Sequence, residues 1–124
     1  MKREKLCLRL KEAMDIRGLR AVDLIERTGI PKVTLSYYMS GKTEPKADRI
    51  YALAKELNIS EAWLMGFDVP MERSLESKKN DALADIVVRM RSDEKLFSLV
   101  VKLAGASDEQ LDLIDKLASG LLKQ

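Results

Sequence analysis

Four isolated glycines, Gly18, Gly29, Gly41 and Gly66, punctuate the first 66 residues of this chain, and each closes a stretch whose apolar residues recur at helical spacing. Leu6, Leu10, Ala13 and Met14 form the stripe of a first helix, read from about Lys2 to Arg17 and stopped at Gly18. A second helix covers Ala21 to Thr28, turns Leu24 and Ile25 inward, and ends at Gly29. Pro31 suits the first turn of a third helix, where its missing N–H is not needed, and Gly41 ends that helix. Lys42-Thr43-Glu44-Pro45 follows as a loop. Ile50, Leu53, Ala54 and Leu57 define a fourth helix from about Ala47 to Leu57. Ser60 caps a short fifth helix, Glu61 to Met65, which Gly66 closes, and Trp63 is placed to plug the core. The expectation is five short helices around one core.

The third helix has an unusual outer face. At about 100° per residue, Leu35, Tyr38 and Met39 share one side, whereas Lys32, Val33, Ser36, Tyr37 and Ser40 share the other. A solvated face normally carries Glu and Lys. This one presents a cation, a methyl-bearing side chain, two hydroxyls and a phenol, which match the donors, acceptors and methyl groups on base-pair edges. Val33 gains nothing from water there. The charge balance is consistent with an anionic partner: residues 1–66 hold 13 Lys/Arg against 9 Asp/Glu, and residues 67–124 hold 9 against 11. An excess of that size is weak evidence by itself.

Other functions are narrowed by what the chain lacks. It has no His and a single Cys, so Cys/His zinc sites and Ser-His-Asp or Cys-His catalysis are excluded. No glycine-rich phosphate loop occurs, and Asp108, Glu109, Asp112 and Asp115 read as the solvated face of a helix. The expectation is a protein that is not an enzyme and uses no metal or cofactor. Cys7, being alone, reads as a small buried apolar group. No signal peptide or membrane-length apolar run is evident, so a cytoplasmic location without a membrane partner is expected.

Residues 67–80 read as a linker, with Pro70, Ser, Glu and Lys and little periodicity. Residues 81–124 carry three amphipathic stripes. Leu83, Ile86, Val87 and Met90 form the first; Leu96, Leu99, Val100 and Leu103 the second; Leu111, Ile114, Leu117 and Leu121, with Leu113 and Leu122, the third. Ser107 and Gln110 make a capping box at the start of the last. These stripes are wider than the roughly 100° of a packed surface helix. A unit this small generally needs a staple or a second copy to stay folded. Dimerisation, or a higher oligomer, through Leu96, Leu99, Val100, Leu103, Leu111, Ile114, Leu117 and Leu121 is the expectation. Fold-back onto residues 1–66, or capture of another protein, is the alternative.

Residues 6–66 resemble the Cro/CI-type (XRE-like) helix-turn-helix family of phage repressors and bacterial regulators. The resemblance rests on Gly18-Leu19, Asp23-Leu24, Thr28-Gly29-Ile30-Pro31-Lys32, Thr34-Leu35-Ser36, Gly41-Lys42, Glu44-Pro45, Leu53-Ala54-Lys55 and Trp63-Leu64-Met65-Gly66. It implies an all-α, lambda-repressor-like five-helix DNA-binding domain over 1–66, followed here by a small helical oligomerisation unit. It further implies that helix 3 enters the major groove of a double-stranded operator, with Lys32, Val33, Ser36 and Tyr37 toward base edges. Arg20, Ala21, Ser40, Lys42, Thr43 and Lys46 would then approach phosphates, which sets register and affinity. The implied role is a sequence-specific transcriptional regulator, a homodimeric repressor of a phage or other mobile element. An antitoxin with its tail on a toxin, or a helical adaptor that binds no DNA, are the alternatives.

Two departures from the family pattern stand out. Ala21 replaces the frequent Gln that braces helix 3, which leaves the phosphate role to Arg20. Met14 and Met39 occupy positions that often hold a buried Arg–Glu pair, and their packing together is expected to preserve the fold. The self-cleaving peptidase domain of many such repressors is not expected in the 58 residues after Gly66. Induction would then come from an antirepressor protein, a ligand or a change of oligomeric state.

Overall fold

A computed structural model describes residues 4–123 of the chain. These residues are all-helical apart from turns and one isolated bridge. The helices are α1 (Leu6–Arg17), α2 (Ala21–Thr28), α3 (Lys32–Ser40), α4 (Ala47–Leu57), α5 (Glu61–Leu64), α6 (Leu75–Ser92), α7 (Glu94–Ala104) and α8 (Asp108–Leu122). The chain divides into two compact units, one through Asp81 and the other from Ala82.

Helical periodicity translates directly into the core of the first unit. Leu6, Leu10, Ala13 and Met14 of α1 are buried with Leu24, Leu35, Tyr38, Leu53, Ala54, Leu57, Trp63 and Leu64. Ile30 and Ile59, just outside the helices, complete this cluster, and Ile25, Met39 and Ile50 pack partly buried against it. Met14 and Met39 thus both sit at the core, on helices that touch each other. Ser60 accepts the Trp63 N–H and starts α5 as expected.

The start of α1 differs from the sequence expectation. Lys5 is extended and the helix begins at Leu6, and the Glu4 N–H donates to the Gly66 carbonyl at 2.9 Å. Lys2 lies outside the described residues. Gly66 has φ 101°, and a Cβ there would sit 2.0 Å from the Glu4 carbonyl oxygen, so this close approach requires glycine. Arg17, in the last turn of α1, donates through Nε to the Leu57 carbonyl at 2.8 Å and through Nη2 to the Asn58 carbonyl at 2.9 Å. A guanidinium therefore satisfies the orphaned carbonyls at the end of α4, the pole where a cation is favoured.

The segment 67–80, expected to be a linker, is instead built into the first unit. The Ser60 N–H donates to the Met71 carbonyl at 2.9 Å, Ile59 pairs with Glu72 in the isolated bridge, and Met71 packs against the core. Ser74 then receives the Ser77 N–H and α6 begins at Leu75, so the last residues of the expected linker are helical. The physical reason is Arg73, only 5% exposed. It forms a bidentate pair with Asp81, Nε to Oδ2 at 2.8 Å and Nη2 to Oδ1 at 2.9 Å. It also bonds the Ile59 carbonyl at 3.0 Å and the Glu61 carboxylate. Tyr51 donates to Asp81 Oδ1 at 3.2 Å. A buried guanidinium needs partners of this kind, and they hold the segment in place.

In the second unit, Asp93 caps α7 by accepting the Leu96 N–H, and Ser107 with Gln110 forms the expected capping box on α8. Among its described residues none is buried. No helix of the described residues is long and apolar enough to cross a membrane.

Candidate nucleic-acid interface

The geometry of α3 follows from its pattern. Leu35 and Tyr38 are buried, which fixes the rotation of the helix and leaves Lys32, Val33, Ser36 and Tyr37 exposed together. Val33 is 62% exposed, next to a cation and one turn from a hydroxyl and a phenol. The two residues between α2 and Pro31 are held by Thr28, whose hydroxyl donates to the Leu24 carbonyl at 2.6 Å and accepts the Ile30 N–H at 3.2 Å. That local bonding sets the turn from which α3 departs.

The end of α3 is organised around the Tyr37 carbonyl. It accepts the Gly41, Lys42 and Thr43 N–H groups and the Ser40 hydroxyl, the last at 3.2 Å. Gly41 is left-handed at φ 81°, and an added Cβ would meet Cys7 Sγ at 3.2 Å. The chain therefore doubles back here and carries Lys42 Nζ to 4.3 Å from the Tyr37 ring centroid. This cation–π contact joins two of the expected DNA residues into one positively charged, aromatic surface. Ser40, Thr43 and Lys46 are exposed alongside.

At the start of α2, Arg20 is exposed but not alone. Its Nε lies 3.5 Å from Asp23 Oδ2, and its backbone N–H donates to the same oxygen at 2.8 Å. The Asp23 carboxyl is held below its ordinary pKa chiefly by that backbone hydrogen bond, helped by the Arg20 guanidinium. An anion approaching Arg20 meets this carboxylate. Ala21, half-buried, contributes only a methyl group toward α3.

The eight residues expected at a dimer contact fall into two groups. Leu96, Val100, Leu103 and Ile114 are half-buried, whereas Leu99, Leu111, Leu117 and Leu121 are exposed. Sequence reasoning missed the cluster of Arg73, Asp81, Glu61 and Tyr51, because a polar segment without periodicity gives no sign that one of its arginines is buried. It also missed Arg9, whose guanidinium lies 4.5 Å from the Trp63 ring centroid and donates to the Trp63 carbonyl at 3.1 Å. Among the described residues, no group of His, Cys, Asp and Glu is arranged to hold a metal ion.

Comparison with known proteins gives a family match over part of the chain. Residues 10–64 match the family model described as helix-turn-helix. No curated protein matches the chain. Among solved structures, one described as the crystal structure of a transcriptional regulator from Listeria innocua is similar over 98% of this chain and 97% of its own, at 20% identity and a TM-score of 0.48.

Proposed function

We propose that the chain, whose residues 10–64 match the helix-turn-helix family model, is a sequence-specific, double-stranded-DNA-binding transcriptional regulator that acts as a homodimeric repressor. The observation that carries the reading is the outer face of α3, where Val33 stands exposed between Lys32 and the Ser36–Tyr37 turn. An apolar side chain there is unfavourable in water and complementary to a thymine methyl, and Lys32 beside it suits guanine O6 or N7. Lys42, Thr43 and Lys46, with Arg20 and the start of α2, would take phosphates on either side and set the register of α3.

The second unit supports pairing. Leu117 is 66% exposed and Leu121 82% exposed, with Phe97, Leu99, Val101 and Leu113 also open to solvent. A second copy would cover them, and joining two heads raises the effective concentration of the second half-site contact. Two recognition helices would then meet half-sites about 34 Å apart. The same apolar faces favour a second reading, an antitoxin tail that covers a toxin. Assignment to a phage or other mobile element rests on the resemblance alone.

Selection of duplexes from a random library on the full chain tests the reading. It is expected to return a two-fold-related site, with affinity falling about 0.9 log units per log unit of salt for each phosphate contacted. No enrichment, with no salt-dependent binding to any duplex, would leave a helical adaptor instead.

A further inference from the structure

We propose that the groove between α1, α2 and α3 is a binding site for a small carboxylate with a short alkyl chain, and that this ligand and DNA exclude one another. The groove has a volume of about 620 Å³, inside the range of roughly 300–1,000 Å³ of small-molecule sites. Val22, Ile25, Leu35 and Met39 make its wall apolar. Ala21 leaves it open, since a longer side chain at that position would occupy the space.

The charge of the lining selects the ligand. Lys11 of α1 and Lys32 of α3 contribute to it, both exposed, and no acidic side chain does. An apolar trough with cations and no counter-charge is complementary to an amphiphile with one anionic head. A neutral alkyl compound would forgo the lysines, and a wholly polar anion would leave the apolar wall wet. Lys32 and Ser36 belong both to this lining and to the outer face of α3. A carboxylate held by Lys32 therefore withdraws that cation from the base edges.

Titration of the ¹⁵N-labelled full chain with sodium octanoate, kept below micelle formation, tests the site, with octanol as the uncharged control. Saturable amide shifts are expected in residues 21–25 and 32–39, with octanoate tighter than octanol by about two- to fivefold, as for one exposed ion pair. Lys11→Met should narrow that preference. Val22→Trp, a change at a residue already 44% exposed, should fill the groove and weaken both ligands by at least about tenfold. Equal binding of the two ligands, shifts confined to the helices beyond Asp81, or a Val22→Trp protein that binds as before would each overturn the site.

Exclusion of DNA rests on the regulatory reading and is measured separately, as octanoate-driven release of a duplex recovered by selection. Release from the native chain by octanoate and not by octanol supports exclusion; a duplex that stays bound at saturating octanoate overturns it. If no duplex is selected while the amide shifts occur, the DNA reading and with it the exclusion fall, and the carboxylate site stands.

Discussion

Lys32 opens α3 on its exposed face, whereas Lys42 lies beyond Gly41 with its ammonium group against the ring of Tyr37. Under the proposed function, one would donate to a base edge and the other would sit between an aromatic surface and a phosphate. The proposed roles predict different losses. Lys32→Ala should cost about 1–3 kcal/mol on the selected site and relax the preference at one base pair. Lys42→Ala should weaken all duplexes alike and reduce the slope of log affinity against log salt by about 0.9. Binding profiles of the two variants across single-substitution duplexes separate these outcomes; identical profiles would remove the distinction. The exposed face of α3 was legible in the sequence because helical period alone places Lys32, Val33, Ser36 and Tyr37 opposite Leu35 and Tyr38. The Lys42–Tyr37 contact was not, since it depends on the left-handed turn at Gly41 and on four donors converging on one carbonyl.

Helices α1 to α5 follow from periodicity and caps; α1, α2, α3 and α5 end close to the glycines that announced them, and α4 ends at a left-handed Asn58. Helix α6 is different. Its first turns belong to the first unit through the buried pair of Arg73 and Asp81, with Glu61 and Tyr51 in contact. The Asp81 carboxyl lies below its ordinary pKa, mainly through its hydrogen bonds to Arg73, and the Tyr51 phenol is raised by burial and by Asp81. A carboxyl depressed in the folded state contributes stability in full above its unfolded value of about 3.9 and loses it as pH falls through the folded value. Asp81→Asn should therefore lower stability by about 3 kcal/mol at neutral pH, because it leaves a buried guanidinium poorly paired. The gap to the native chain should close at pH values well below 4. Urea unfolding followed by circular dichroism at several pH values measures both; a constant gap would mean that Asp81 is not the group titrating.

At the scale of the whole molecule, the apolar side chains from Ala82 onward lack a buried core of their own among the described residues. Exposed patches of that kind mark interaction surfaces. Under the proposed pairing, Leu117→Glu combined with Leu121→Glu should give a monomer in sedimentation and weaken operator affinity on the order of tenfold or more, through lost effective concentration. A fragment ending at Asp85 keeps Asp81 inside a closed helical turn and should fold as a stable monomer. One ending at Gly66 loses Met71 and Arg73 and should be less stable; equal melting temperatures would deny residues 67–81 their structural role. The sequence by itself determined the five-helix head, the face that α3 presents and the surplus of apolar surface in the tail, because each is a local or periodic property of neighbouring residues. Only the tertiary structure decided where the head ends. Arg73 joins Ile59, Glu61 and Asp81 across distances in sequence that no period records, and desolvating a guanidinium is tolerable only where those oxygens are already gathered.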